Sequence, residues 1–307
     1  MTPLDSNNSI NLFDTYNEIA FTGGTFHKAL NILRSIFTLE QDISIYLSLS
    51  GALVPAGLRK HIVALLETGK ISGIITTGAT LTHDYIENLG FKHKKLNHFE
   101  NDAKLRQSGI NRILDVGATN EAFEKMELSI HSWLEKAYPD KQKDYCISTV
   151  NLLNELGKSC SEESILGICY KKNIPIYCPA LTDSMLGVHV MTFAEFRKFT
   201  INPIQELKHY ISKCFDSRKT AAIVLGGGVP KNYLFQGMLI SGKELSYAIQ
   251  VTMDRPEHGG LSGASLDEAI SWGKIQFDAQ IVTVVADVSL VLPLFTKYLE
   301  LEINKKD

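Results

Sequence analysis

The chain has 307 residues, of which 44% are hydrophobic, 31 are Lys or Arg and 34 are Asp or Glu, so its net charge is -3. A chain of this length can bury a large core, and its slightly negative charge argues against binding to a nucleic-acid backbone. No segment approaches the ~20 apolar residues that span a bilayer, so we expect a cytoplasmic protein with neither membrane nor nucleic-acid partners.

Cysteines and histidines give no indication of a metal site. The five cysteines are scattered and form no C-x-x-C pair, a pattern typical of a reduced cytosolic protein rather than of a zinc protein. His83, His189 and His258 have no histidine partner at ligand spacing. We therefore expect each of them to be a packed or surface histidine, and we predict no metal.

Short β-rich runs alternate with helical patterns along the whole chain. The helical patterns include residues 58–67 and the charged stretch 120–133, which we expect to pack outside a sheet. The predicted strands are Ile43–Leu49, Ile71–Ile75, 174–178, 221–225, 248–253 and 281–286. Alternation of this kind predicts an α/β fold, a Rossmann-like parallel sheet flanked by helices. We expect one domain over residues 1–307, in which residues 1–25 form a peripheral segment.

Polar and glycine-rich turns follow several of these strands, where a parallel sheet binds its ligands. Ser48-Leu49-Ser50-Gly51, Thr76-Thr77-Gly78-Ala79 and Gly226-Gly227-Gly228 each end a strand. Glycines allow a phosphate to approach backbone N–H groups, although the G-x-G-x-x-G spacing is absent and a plain tight turn is the alternative. Together, three such turns favour a bound nucleotide.

Two aspartates also follow predicted strands. Asp183 and Asp287 could accept hydrogen bonds from a ribose hydroxyl or an amine, or they could cap the helices that begin there. Both interpretations stay open at this point.

The most informative residue is Lys274, which follows Trp272 and Gly273 and precedes the apolar Ile275. An amine held beside an indole in a partly dry pocket loses some of its preference for the ammonium form and becomes a nucleophile toward carbonyls and imines. The alternative is that the acidic pair Asp267 and Glu268 opens a helix and that Lys274 is a half-exposed lysine late in it.

Together these segments resemble the deoxyhypusine synthase family. The matching runs occur in family order and span about residue 40 to about residue 295: GINRI at 109–113, PALTD at 179–183, LGGG at 225–228, SGA at 262–264, DEA at 267–269, SWGKI at 271–275 and ADVSLVLPL at 286–294. The Ser-Trp-Gly-Lys run with its upstream Asp-Glu pair is the most specific of them.

The resemblance implies an NAD-binding fold and a homotetramer with active sites at subunit interfaces. In the family, NAD takes a hydride from spermidine, and a lysine carries the aminobutyl fragment as an imine until an acceptor amine collects it. That lysine corresponds to Lys274, the indole beside the polyamine to Trp272, and a nearby carboxylate to Glu268. Nucleotide contacts are implied at Thr76, Thr77, Asp183, Gly226, Gly228, Ala286 and Asp287, and we add the turn glycines Gly78 and Gly227.

Several positions depart from the eukaryotic pattern. Asn232 stands where a histidine assists proton transfer, and an asparagine can orient an amine but cannot act as an acid or base. Val188 and Leu261 replace two carboxylates that hold the ends of the polyamine. Ala52 and His83 occupy the positions of an Asn and a Glu that contact NAD in the family. Four polar groups could compensate for the missing carboxylates: Gln236, His258, Glu257 and His189.

Four runs instead resemble the prokaryotic, deoxyhypusine synthase-like branch of the family: Ser50-Gly51-Ala52, Thr77-Gly78-Ala79, Gly228-Val229-Pro230-Lys231-Asn232 and Asp254-Arg255-Pro256. The sequence hence predicts an NAD-dependent aminoalkyl transferase that moves the group between small polyamines, for example in homospermidine synthesis. Its substrates would be a small polyamine donor and an amine acceptor. One alternative is a protein-modifying deoxyhypusine synthase that acts on a lysine of a translation factor. A second alternative is a nucleotide- or amine-binding relative without turnover, which the retention of Lys274, Trp272 and Glu268 disfavours.

Overall fold

The computed structural model describes residues 9–97 and 101–305. Its strands are β1 Ile43–Leu49, β2 Ile71–Ile75, β3 Lys94–Lys95, β4 Ile110–Ile113, β5 Val116–Thr119, β6 Tyr145–Ile147, β7 Ile176–Tyr177, β8 Phe199–Ile201, β9 Lys219–Leu225, β10 Leu245–Thr252 and β11 Ile275–Val285. The α-helices are α1 Ser9–Thr15, α2 Phe21–Arg34, α3 Arg59–Glu67, α4 Gly78–Asn88, α5 Asp102–Gln107, α6 Asn120–Ala137, α7 Thr149–Gly157, α8 Ile165–Lys171, α9 Met185–Ala194, α10 Pro203–Phe215, α11 Gly228–Ser241, α12 Glu268–Ser271 and α13 Val288–Asn304.

The centre of the fold is a six-stranded sheet in which every neighbouring pair of strands is parallel. Its order is β11-β10-β9-β1-β2-β7, which counts as 6-5-4-1-2-3 when these strands are numbered along the chain. This is the doubly wound order of dinucleotide-binding folds, whose ligand crevice opens where the direction of winding reverses. The reversal falls between β1 and β9. The predicted Rossmann-like α/β fold is confirmed.

Both faces of the sheet are covered by apolar side chains, as a parallel sheet requires. In β1, Ile45 and Leu47 belong to one buried cluster and Tyr46, between them, to the other. In β9, Ile223 packs into the first cluster and Val224 into the second. The side chains alternate because successive residues of a strand point to opposite faces. Helices therefore pack on both sides, and the polar groups of the sheet gather at its ends.

Two predicted strands have the observed bounds, β1 and β2, and the others differ in length. The strand predicted over 174–178 contains only Ile176 and Tyr177, because Pro175 and Pro179 flank it and have no N–H group to donate to a neighbour. At the opposite edge, β11 begins six residues earlier than predicted. Its register with β10 shifts between Ile275 and Gln280, so extra residues fill the first part of the strand.

Residues 1–8 of the segment that we expected to be peripheral lie outside the described residues. In the described part, Phe13 is buried and its ring contacts Tyr298 of α13 edge-on, at 5.2 Å between centroids. Phe26 of α2 also contacts α13, but its ring stacks on that of Phe295 with the two planes nearly parallel, at 5.7 Å between centroids. None of the described helices has the length and apolar character needed to cross a bilayer.

Candidate active site

A cavity of about 250 Å³ lies between the first turns of α11 and the segment that leads into β11. Five of the six residues that the sequence predicts to be catalytic or to bind substrate line it, although they come from two regions of the chain. Its lining residues are Lys231, Asn232, Phe235, Gln236, Leu261, Ala264, Ser265, Glu268, Ala269, Trp272 and Lys274. This cavity is the candidate amine site.

Lys274 is positioned by the way α12 ends. Gly273 adopts a left-handed conformation with φ of 65°, its N–H donates to Ile270, and the N–H of Lys274 donates to the carbonyl of Ala269 at 3.0 Å. These two bonds form the Schellman C-cap, in which the left-handed residue is usually glycine. The carbonyl of Lys274 then accepts from Leu245 at the start of β10. The backbone of Lys274 is fixed on both sides.

The side chain of Lys274 lies over the ring of Trp272, with 5.2 Å between Nζ and the ring centroid. Trp272 itself is 60% exposed. Glu268 begins α12, as the acidic pair suggests, but that helix ends at Ser271. Lys274 therefore lies beyond the helix, and the interpretation as a lysine late in a helix is wrong. A half-buried amine next to an open indole face is accessible from the cavity.

A second lysine, Lys231, reaches the same cavity from α11. It is only 4% exposed, and its Nζ donates to the carbonyl of Ala264 at 2.5 Å and to Oε1 of Gln250 at 2.9 Å. Burial lowers the pKa of Lys231 to about 8, and nearby Glu268 opposes that effect. The ring of Phe235 lies 5.9 Å from the ammonium group. The cavity is thus lined by two lysines, of which Lys231 is the more buried.

Gln250 joins this cavity to the glycine-rich turn. The residue is fully buried on β10, and its Nε2 donates to the carbonyl of Gly226 at 3.0 Å and to that of Ser262 at 2.8 Å. Its Oε1 accepts the bond from Lys231. The turn, the 262–265 loop and Lys231 thus share one buried amide.

His258 and two other residues suggested as replacements for the missing carboxylates lie outside this lining. His258 is exposed, and its Nδ1 bonds to Asp254 at 2.7 Å, while Glu257 lies beside it in the same short helical turn. His189 is buried between α6 and α9. Gln236 is the one suggested replacement that lines the cavity of this chain.

The predicted nucleotide contacts all follow strands of the main sheet, at its carboxyl edge. Thr76, Thr77 and Gly78 follow β2, Asp183 follows β7, Gly226, Gly227 and Gly228 follow β9, and Ala286 and Asp287 follow β11. Thr76 is fully buried, and its hydroxyl has no hydrogen-bond partner among the described residues. An orphan donor at a strand end beside the reversal point fits a bound polar ligand, so these residues can accommodate a dinucleotide.

Much of the glycine-rich turn is explained by packing. The N–H of Gly226 donates to Val251 at 2.8 Å, and that of Gly227 donates to the hydroxyl of Ser50 at 2.7 Å. A Cβ atom on Gly227 would lie 2.4 Å from the Cα of Ser262. These two amides are already used within the protein, so a phosphate would have to be bound by the first turn of α11, which begins at Gly228.

Two of the other strand-end residues are helix caps. Asp287 caps α13 by accepting from the N–H of Ser289, and Thr77 caps α4 by accepting from the N–H of Thr80. Asp183 is exposed, and the cap of α9 is its neighbour Ser184. The capping alternative therefore applies to Asp287 and not to Asp183.

Sequence reasoning missed Lys231, Phe235 and Gln250 as members of the site. Lys231 offered a signal, because a lysine in the first turn of a helix opposes the helix dipole and calls for an explanation. Gln250 gave little indication of a role, since a single glutamine in an apolar strand does not show which residue it bonds to. The sequence contains no pattern that relates residue 231 to residue 250.

Comparisons with known proteins show the family of the chain and agree with its fold. The deoxyhypusine synthase family model matches residues 11–299. The chain is 38% identical to "Probable deoxyhypusine synthase 1" of Methanosarcina acetivorans over 95% of this chain and 90% of that protein, and 37% identical to the protein of the same name from Archaeoglobus fulgidus over 94% and 92%. The crystal structure of a "putative deoxyhypusine synthase from Entamoeba histolytica" shares the fold, with a TM-score of 0.67, 20% identity and coverage of 95% and 93%.

We expect Gly273→Ala to destabilise the protein by about 1 kcal/mol, because an alanine must adopt the left-handed conformation there. The nearest atom to its Cβ would be Oε1 of Glu244 at 3.6 Å, so the cost comes from backbone strain and not from a clash. Urea unfolding measures the difference. The control is Gly260→Ala, whose Cβ meets nothing closer than 3.7 Å and needs no left-handed φ. Equal stability of the two variants would contradict the cap.

Proposed function

The chain belongs to the deoxyhypusine synthase family of transferases, and from this premise we propose that it transfers an aminobutyl group, carried as an imine on Lys274, with NAD as cofactor. The observation that supports this most directly is the placement of Lys274 beside Trp272 in a cavity that also contains Glu268. NAD, when bound at the carboxyl edge of the sheet, would accept and return the hydride. The residues of the chain would hold and transfer the amine.

Each cavity residue has a role in this proposal. Lys274, in its free-amine form, attacks the carbon of an oxidised polyamine and displaces a diamine, because a neutral amine is the nucleophile in imine exchange. Trp272 covers the chain of the substrate and attracts its ammonium group. Glu268 pairs with one ammonium end, and Asn232 orients the other amine without exchanging a proton.

For the acceptor, we propose a lysine of a protein. The curated relatives, 33–38% identical, carry the name deoxyhypusine synthase, and this supports the alternative function from the sequence better than the small-polyamine acceptor. The second candidate, transfer to a small amine, is favoured by one observation. Leu261, at a position where the family pattern has a carboxylate, lines the cavity and is 49% exposed. We further propose that the protein is a cytoplasmic homotetramer.

The imine is tested by borohydride trapping with NAD and labelled spermidine. We expect one stable adduct on Lys274, found by peptide mass spectrometry, and none in Lys274→Arg. The matched control is Lys231→Arg, which keeps a charge at the other lysine of the cavity and should still label Lys274. An adduct on Lys231, or none with any polyamine and NAD, would disprove the role of Lys274.

A second test concerns pH. Because the pKa of Lys231 is lowered to about 8, its side chain is an ammonium below that pH and a neutral amine above it. The ammonium repels a cationic substrate in the same cavity, so kcat/KM for the polyamine should rise about tenfold between pH 7 and pH 9. In Lys231→Met, the titration with a midpoint near 8 should disappear, whatever the absolute rate. If the profile kept this step, another group would be responsible.

The acceptor is tested with labelled spermidine and NAD, offered either a lysine-bearing translation factor or putrescine. Label in the protein supports protein modification, and label in a longer polyamine supports the small-amine alternative. Leu261→Asp should lower the KM for spermidine about tenfold, since a carboxylate at the wall forms a charge-assisted contact. The control is Leu261→Asn, because an asparagine side chain has nearly the same shape as an aspartate but no charge. Identical KM values for the two variants would exclude Leu261 from the substrate contacts.

A further inference from the structure

A cluster of two histidines and a glutamate lies outside the Lys274 cavity, where α6 packs against α9. Glu127 and His131 are four residues apart on α6, so their side chains share one face of that helix. His189 faces them from α9. One ligand atom from each of the three residues lies within 4.8 Å of the other two.

His189 has an unused nitrogen inside this cluster. The residue is 3% exposed, and its Nε2 is buried without a hydrogen-bond partner in the described part of the chain. A neutral imidazole has a lone pair on one of its two ring nitrogens, and that lone pair can bind a metal ion. A buried nitrogen without a hydrogen-bond partner destabilises the folded protein unless something binds it.

His131 is oriented by a hydrogen bond to the hydroxyl of Thr192, which lies outside the cluster. The Thr192 hydroxyl donates to the carbonyl of His189 at 3.0 Å, so its oxygen accepts from Nε2–H of His131, also at 3.0 Å. With the proton on Nε2, the lone pair of His131 is on Nδ1. Metal-binding histidines are usually held in this way, with one nitrogen bonded to an oxygen and the other free for the ion.

The cluster is open to a separate space. A cavity of about 450 Å³ is bounded by Asn111 of β4 and by the facing sides of α6 and α9. Glu127 and His189 line it, with Asn111, Asn120, Phe123, Glu124 and Met185. No residue of this lining belongs to the Lys274 cavity of the same chain. An ion at the cluster would have a free coordination position facing this space.

We propose that Glu127, His131 and His189 bind one divalent transition-metal ion, with zinc as the reference ion. Two imidazoles and one carboxylate suit zinc or iron and disfavour magnesium and calcium, which take oxygen ligands. Three protein ligands leave a position for water or for a small ligand from the cavity. This site is independent of the aminobutyl transfer proposed above.

Only modest rearrangement closes the cluster on an ion. Bonds of about 2.1 Å in a tetrahedral arrangement place ligand atoms roughly 3.4 Å apart, so the side chains must move inward by about 1 Å. Glu127 is exposed and on a helix surface, so it can rotate toward the two histidines. The buried His189 does not need to move far.

The test is metal titration of the full chain after chelator treatment and dialysis. We expect one Zn²⁺ or Co²⁺ per chain by calorimetry, a visible Co²⁺ spectrum with histidine ligation, and a higher unfolding temperature that a chelator reverses. Glu127→Gln should weaken Kd at least tenfold. Glu124→Gln removes a carboxylate from the same cavity but not from the cluster, and it should leave Kd unchanged.

His189→Gln provides a second test, in which folding is checked by circular dichroism. Because Glu127 is exposed, the Glu127→Gln variant keeps the test valid even if His189→Gln fails to fold. No stoichiometric binding, or equal affinity in Glu127→Gln and Glu124→Gln, would overturn the proposal. Loss of binding in His258→Gln instead, at the exposed His258–Asp254 pair, would also overturn it, because the ion would then bind at the surface.

Discussion

The buried amide of Gln250 connects the two ends of the candidate active site. Its oxygen accepts from Lys231 in the amine cavity, and its nitrogen donates to Gly226 in the turn at the carboxyl edge of the sheet. In the same way it holds Ser262, whose Cα leaves no space for a side chain on Gly227. A displacement of the turn must therefore move Lys231 or break a buried hydrogen bond. One buried side chain therefore couples the carboxyl edge of the sheet to the cavity that contains Lys274, an arrangement that suits the proposed hydride transfer between them.

The fold could be predicted from the sequence because its signals are local. Each strand of the sheet is an apolar run ended by polar or glycine residues, and runs of this kind alternate with helical spacing. Where prediction failed, the cause was tertiary: prolines shortened β7, and the register shift at its pairing with β10 lengthened β11. Neither the length of an edge strand nor a register shift is visible in the composition of a single segment.

The functional residues, like the fold, could be predicted where the signal is local and could not where it depends on tertiary contacts. Trp272, Gly273 and Lys274 could be found because they are consecutive residues of one helix C-cap. The hydrogen bonds of that cap join residues only three to five positions apart in the sequence. The cluster proposed to bind a metal could not be found, since Glu127 and His131 share a helix but the third group, His189, is 58 residues further along the chain. His131 has no histidine at ligand spacing, but the Glu127 carboxylate is four residues before it on the same helix. Contacts between helices are set by packing, and a single sequence contains no direct record of them.

Charge in the amine cavity limits what it can bind. Among the described residues that line it, Lys231 and Lys274 are basic and Glu268 alone is acidic. A polyamine that brings two or more positive charges would be repelled while both lysines are protonated. The low pKa of Lys231 removes part of this repulsion as the pH rises through about 8. Within the described lining, the remaining attraction would come from Glu268 and from the indole of Trp272. Any further carboxylate would have to come from a second subunit of the proposed tetramer. In the proposed reaction, a single chain would thus supply the imine-forming lysine with only one carboxylate in the cavity lining to attract the polyamine.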